Sequence, residues 1–142
     1  MPERDPIELA ARSLRHRDRS RHDLDVRLAQ AGVDDDARAD ALDTLERVGY
    51  VDDERFAAAR AASLAGRGYG DEAIRHALQA DQVGEEAIAA GLASVEPEAT
   101  RAVALVERLG RTRKVAAQLA RKGFGQDALE AALGAEIAED GI

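Results

Sequence analysis

The stretch GDEAIRHALQADQVGEEAIAAGLASV, residues 70–95, decides the fold, because it occurs three times in degenerate form. Its apolar landmarks Ile74, Leu78, Val83 and Leu92 are separated by four, five and nine residues. The same spacings separate Leu24, Leu28, Val33 and Leu42 fifty residues earlier, and Val115, Leu119, Phe124 and Leu133 forty-one residues later. A step of four puts two side chains on one helix face, so each copy reads as helical. The helix before each copy keeps the register too, with Leu14, Leu64 and Leu105 at matching positions. Chance matches in an alanine- and leucine-rich bundle would not hold five positions across three copies, so the chain is a repeat protein.

Each unit then has three helices: near 5–16, 20–31 and 34–48; near 53–67, 71–81 and 85–95; and near 97–109, 112–122 and 126–138. No segment alternates as a strand would. Ser20 suits a helix N-cap, Gly32, Gly49, Gly68, Gly110 and Gly123 suit helix stops, and Pro97 suits a first turn. The fold class is therefore all-α, three tandem three-helix repeats in an elongated, curved array, with repeats at 1–49, 50–95 and 96–142 and an acidic C-terminal tail. Units of this size with so few large side chains bury little area alone, so stacking between neighbours is the expected source of stability.

Composition narrows the function classes. The chain has 142 residues, a formal net charge of -8, 3% aromatic residues and no cysteine. Without cysteine there is no disulfide framework and no thiolate metal site, which leaves a reducing cytoplasm as the default. The start, Met1-Pro2-Glu3-Arg4-Asp5, lacks an apolar leader, and no run approaches the ~18–20 apolar residues needed to cross a bilayer. The charge is segregated. Residues 101–122 carry seven basic residues against Glu107 alone, a balance of +6, and residues 34–54 carry nine acids against Arg38 and Arg47, a balance of -7.

Between the first two units runs Gly49-Tyr50-Val51-Asp52-Asp53-Glu54-Arg55-Phe56-Ala57. Around it stand Arg17-Asp18-Arg19-Ser20 with Asp23-Leu24 and Leu28, then Gly68-Tyr69-Gly70 with Ile74 and Leu78, and finally Leu119 with Lys122-Gly123-Phe124. In this order and spacing, from about residue 8 to residue 134, the sequence resembles the RecX family, bacterial regulators of the RecA recombinase. The resemblance implies three tandem three-helix repeats. It also implies binding to RecA, or to its filament on single-stranded DNA, restraining strand exchange and the coupled ATPase, within homologous recombination, DNA repair and the SOS response.

The residues themselves show no catalytic constellation. His16, His22 and His76 never pair at the four-residue spacing of two metal ligands on one helix face, and read as surface residues. Asp34, Asp35 and Asp36 lack the alternation, central glycine and closing glutamate of a calcium loop, and suit a helix N-terminus. Gly66, Gly68 and Gly70 form a turn that no strand enters and no Gly-Lys-Ser/Thr follows, so a phosphate loop is not indicated. No serine sits in a nucleophile elbow. Tyr50 and Phe56 are expected to be buried where two units meet, with Asp52 or Asp53 capping the next helix. No cofactor or metal is expected.

The basic segment is the candidate working surface. At 100° per residue, Arg111, Lys114, Gln118 and Arg121 form a stripe beside Val115 and Leu119, and Lys122 widens it. In the first unit Arg12, Arg15 and Arg19 are secondary candidates, although Glu8 is placed to pair with Arg12 and six acids offset seven arginines through residue 33. The leading expectation is a regulator that occupies the surface or groove of the RecA filament through its concave repeat face. Weak contact with single-stranded DNA accompanies it, with no membrane and no small-molecule substrate. The alternatives are a direct nucleic-acid binder using the third unit, and a helical interaction module for another partner.

Overall fold

A computed structural model describes residues 5–134. Among these residues there are nine helices and no strand: α1 Pro6–Leu14, α2 Arg21–Gln30, α3 Asp35–Arg47, α4 Asp53–Gly66, α5 Asp71–Ala80, α6 Glu85–Ser94, α7 Glu98–Leu109, α8 Arg113–Arg121 and α9 Gln126–Leu133. They form three repeats of three helices. The expected helix over 126–138 is seen as far as Leu133, and the expectation for 135–138 lies outside the described residues.

Capping chemistry sets the starts. Ser20, Asp34, Asp52 and Thr112 each accept a hydrogen bond from the amide three residues on, at 2.9 to 3.1 Å. The stops explain the five-residue step of the repeat. The amides of Val33, Val83 and Phe124 donate to the carbonyls of Leu28, Leu78 and Leu119 at 3.0 to 3.1 Å, the backbone closure that ends a helix after one left-handed residue. That left-handed residue is Gly32 in the first repeat and Gly123 in the third. In the second it is Gln82, with φ 59, where a side chain bears a conformation that favours glycine.

Each repeat closes its own core. The first holds Ala10, Leu24, Leu28, Leu42, Leu45 and Val51; the second is centred on Leu64, Ile74, Leu78 and Ile88; the third on Val106, Val115, Leu119, Phe124 and Leu133. Small residues make this possible. Gly91 on α6 lets the helix approach the Ala57 carbonyl of α4 so closely that an added Cβ would lie 3.0 Å from that oxygen. Val51, just beyond the first repeat's boundary, is the one residue of these buried clusters that crosses a junction among the described residues. Neighbouring repeats meet through helix termini, whose unpaired amides and carbonyls call for polar partners.

The second junction is backbone against backbone. Gly70 N donates to Lys122 O at 2.8 Å and Glu72 N to Gly123 O at 3.2 Å. Glu98 accepts from Asp71 N at 2.6 Å and from Gly125 N at 3.2 Å. Arg101, only 9% exposed, donates to Asp71, Tyr69 O and Glu96 O, and its guanidinium lies over the Phe124 ring. The Gly68-Tyr69-Gly70 and Lys122-Gly123-Phe124 motifs, far apart in sequence, therefore face each other.

At the first junction the contacts are made by side chains. Asp53 accepts from Arg21 N at 2.8 Å, capping α2 from the next repeat, while Asp52 caps its own helix α4. Arg55 pairs with both oxygens of Asp18 and donates to the carbonyls of Gly49 and Tyr50. Tyr50 is not buried in this seam as expected but 64% exposed. Its amide closes α3 onto Leu45 O, and the turn then sends Val51, at 2% exposure, into the first core instead. Phe56 is half-buried against the second core.

Candidate functional site

Eight of the twelve described arginines of the first two repeats are paired with a carboxylate, while Arg15, Arg17, Arg47 and Arg67 have none within 4.0 Å among the described residues. Arg21 binds Asp43 and Glu46, Arg27 binds Asp23, Arg38 binds Asp25 and Asp35, Arg60 binds Asp81, and Arg75 binds Glu85. Hydrogen bonding to Asp25 raises the Arg38 pKa, and hydrogen bonding to Asp18 raises that of Arg55. At Asp23, burial pushes the carboxyl up, but bonds from Arg27 and Arg19 outweigh it and hold the pKa below the usual value. These two repeats hold more acids than bases, so the arginine pairs leave a net negative surface there.

The third repeat differs. Arg108, Arg111, Arg113, Lys114, Arg121 and Lys122 have no carboxylate within 4.0 Å among the described residues, whereas Arg101, the seventh base of the segment, is spent on Asp71. Arg108 and Arg113 were not singled out by the stripe pattern. Both are exposed and extend the basic surface around the turn between α7 and α8, and the local charge excess of residues 101–122 was the signal for them.

Helix α8 is built against the usual electrostatics. It is the one described helix without an acid in its first turn, and it carries Arg113 and Lys114 there instead. The partial positive charge of a helix N-terminus disfavours cations by about 0.3–1 kcal/mol each. The same arrangement, exposed amides with added cations, attracts an anionic group.

The stripe is rearranged from the ideal helix projection. Lys114, Gln118 and Arg121 are exposed on α8 beside buried Val115 and Leu119. Arg111 lies outside the helix, because Gly110 ends α7 and Thr112 caps α8, and its guanidinium donates to Leu133 O at 3.4 Å. Lys122 caps the helix end, half-buried, with its ammonium 4.0 Å from the centre of the Tyr69 ring and 3.4 Å from Arg67 O. It braces the second junction while adding charge to the rim.

The first-repeat candidates separate. Arg15 is exposed and has no acidic partner among the described residues, and Arg12 makes only a loose exposed pair with Glu8 at 3.8 Å. Arg19, its side chain 10% exposed, donates to Ser13 O and Asp23 and braces α1 onto α2. The three histidines are exposed. No helix among the described residues is long and apolar enough to cross a membrane.

Known proteins share this architecture. Residues 52–92 match the family model described as RecX, second three-helix domain. The chain is 38% identical over 140 residues to a "Regulatory protein RecX" of Xanthomonas axonopodis pv. citri (strain 306), covering 92% of this chain and 86% of the relative. It is 36% identical over 140 residues to one of Xanthomonas oryzae pv. oryzae (strain MAFF 311018), covering 92% and 88%. The crystal structure of RecX from Lactobacillus salivarius superposes with a TM-score of 0.75 at 18% identity, covering 90% of this chain and 92% of that one.

Proposed function

The chain belongs to the RecX family of regulatory proteins, and from that premise we propose that it binds the RecA recombinase, as a filament on single-stranded DNA, and restrains strand exchange and the coupled ATPase. It acts in the cytoplasm as a binding regulator. The observation that carries the reading is the concentration of free base: most described arginines of the first two repeats are paired with carboxylates, while residues 101–122 of the third present six bases with no described carboxylate partner. A cationic face of this kind suits a filament on single-stranded DNA, which offers phosphates. Arg111, Lys114, Gln118 and Arg121 make the contact, with Lys122, Arg108 and Arg113 around them; Arg12 and Arg15 are the secondary site, and Arg19 supports it from beneath.

Co-sedimentation with the cognate RecA, with and without single-stranded DNA, tests the proposal. Binding that requires RecA supports it. Changing Arg111, Lys114 and Arg121 together to Glu should abolish inhibition of strand exchange while circular dichroism keeps the wild-type helix content and the thermal melt stays cooperative. Unchanged inhibition moves the contact away from this surface.

A second reading, direct binding of nucleic acid, rests on the same basic face. Phosphate contacts make affinity for a single strand fall with salt at a logarithmic slope of about -0.7 per neutralised phosphate. With a net charge of -8, affinity for bare DNA near physiological salt should be no better than the ~10⁻⁴–10⁻⁶ M of non-specific contacts. Bare DNA bound as tightly as the filament would favour this second reading.

A further inference from the structure

We infer that the array has one stiff junction and one hinge: the second and third repeats move as a single body, and the first repeat turns against them about residues 49–53, latched by the ion pair of Asp18 with Arg55. The repeat spacing shows why the junctions differ. Where the second junction brings Gly70 and Gly123 together, the first has Ser20 and Gln82 at the equivalent positions, fifty and forty-one residues earlier. A Cβ on Gly70 would lie 2.4 Å from the Gly123 carbonyl carbon and from Phe124 N, and one on Gly123 would lie 2.6 Å from Ala73 N. Only a pair of glycines lets these backbones bond directly.

With side chains at both positions the first junction does not close. An open cleft of about 320 Å³ remains there, lined by Arg21, His22, Asp25, Leu42, Asp53 and Gln82. Among the described residues no backbone hydrogen bond joins α2 or its caps to the second repeat, and the bond from Arg21 N is accepted by the Asp53 side chain.

The two junctions also use their arginines differently. Arg101 is 9% exposed and sealed against Phe124, so breaking its bonds would strand a buried charge. Arg55 and Asp18 are 45% and 39% exposed in their side chains. Water and salt can replace that pair at little cost, which makes it a latch rather than a weld. A partner that touches the first and third repeats at once would select the angle between them.

The chain has no native cysteine, so spin labels can be placed without background. One pair of labels at Gln30→Cys and Ala90→Cys spans the first junction, and a second pair at Ala90→Cys and Ala117→Cys spans the second; all three positions are exposed. Distance distributions by pulsed electron resonance should be broader for the first pair. Arg55→Ala, or raising the salt to about 1 M where screening is nearly complete, should broaden the first further and leave the second unchanged. Arg55→Lys, which keeps a cation opposite Asp18, should broaden the first distribution less than Arg55→Ala does, and circular dichroism of each variant identifies any that has lost helix. Equal widths at both junctions, a second junction that broadens as much as the first, or a first junction indifferent to both Arg55→Ala and salt overturns the inference.

Discussion

Replacing Gly70 by alanine adds one methyl group at the place where two repeats touch backbone to backbone. The new carbon would lie 2.4 Å from Gly123 C and Phe124 N and 2.5 Å from Gly123 O. These are main-chain atoms held by the closure of α8, so no side-chain rotation can relieve the clash. Overpacking of this kind costs about 1–3 kcal/mol. If the repeats instead part to admit the methyl, the strain is relieved but the bonds from Gly70 N and Glu72 N are lost at about 0.5–1.5 kcal/mol each, so either route costs about 1–3 kcal/mol. Gly66→Ala is the matched control. Nothing lies within 4 Å of a Cβ there and its φ is not left-handed, so the same change at the end of α4 should stabilise by about 0.5–1 kcal/mol. Urea melts followed by circular dichroism read both variants. Opposite signs support the close-approach account of the second junction. A Gly70→Ala midpoint equal to that of Gly66→Ala would refute it.

Leu78 is fully buried at the centre of the second repeat, and Leu78→Ala should cost roughly 2–5 kcal/mol in the same melts; a loss under about 0.5 kcal/mol would remove it from the core. Asp23 has its pKa held below the unfolded value, so its contribution is present above the ordinary aspartate pKa and is lost as pH falls through the folded value, below about pH 4. Asp23→Asn should therefore destabilise at neutral pH and converge on the wild type in acid. A difference independent of pH would show that Arg19 and Arg27 do not act on its charge.

The helices were legible because their signals are local. A step of four marks a face, a step of five is the bond from Val33, Val83 or Phe124 back to a leucine carbonyl, and Ser20, Asp34, Asp52 and Thr112 cap within three residues. Chain connectivity brings these partners together whatever the tertiary arrangement. The basic surface was legible in part for the same reason: seven bases against one acid within twenty-two residues leave an excess that no local pairing can neutralise. Its membership was not. Arg101 and Arg19 read as surface cations and prove to be braces, because Asp71, Tyr69 O and Ser13 O reach them from other elements.

The sequence by itself determined nine short helices and their grouping in threes, consequences of interactions between residues a few positions apart, together with the basic excess of residues 101–122. Tertiary structure alone decided how the repeats join. Asp53 caps a helix thirty-two residues away, Gly70 meets Gly123 across a seam, and Tyr50 turns to solvent while Val51 enters the core. Each of these depends on which helix ends arrive side by side, and a hydrogen bond or a steric contact acts only over the few ångströms that folding closes.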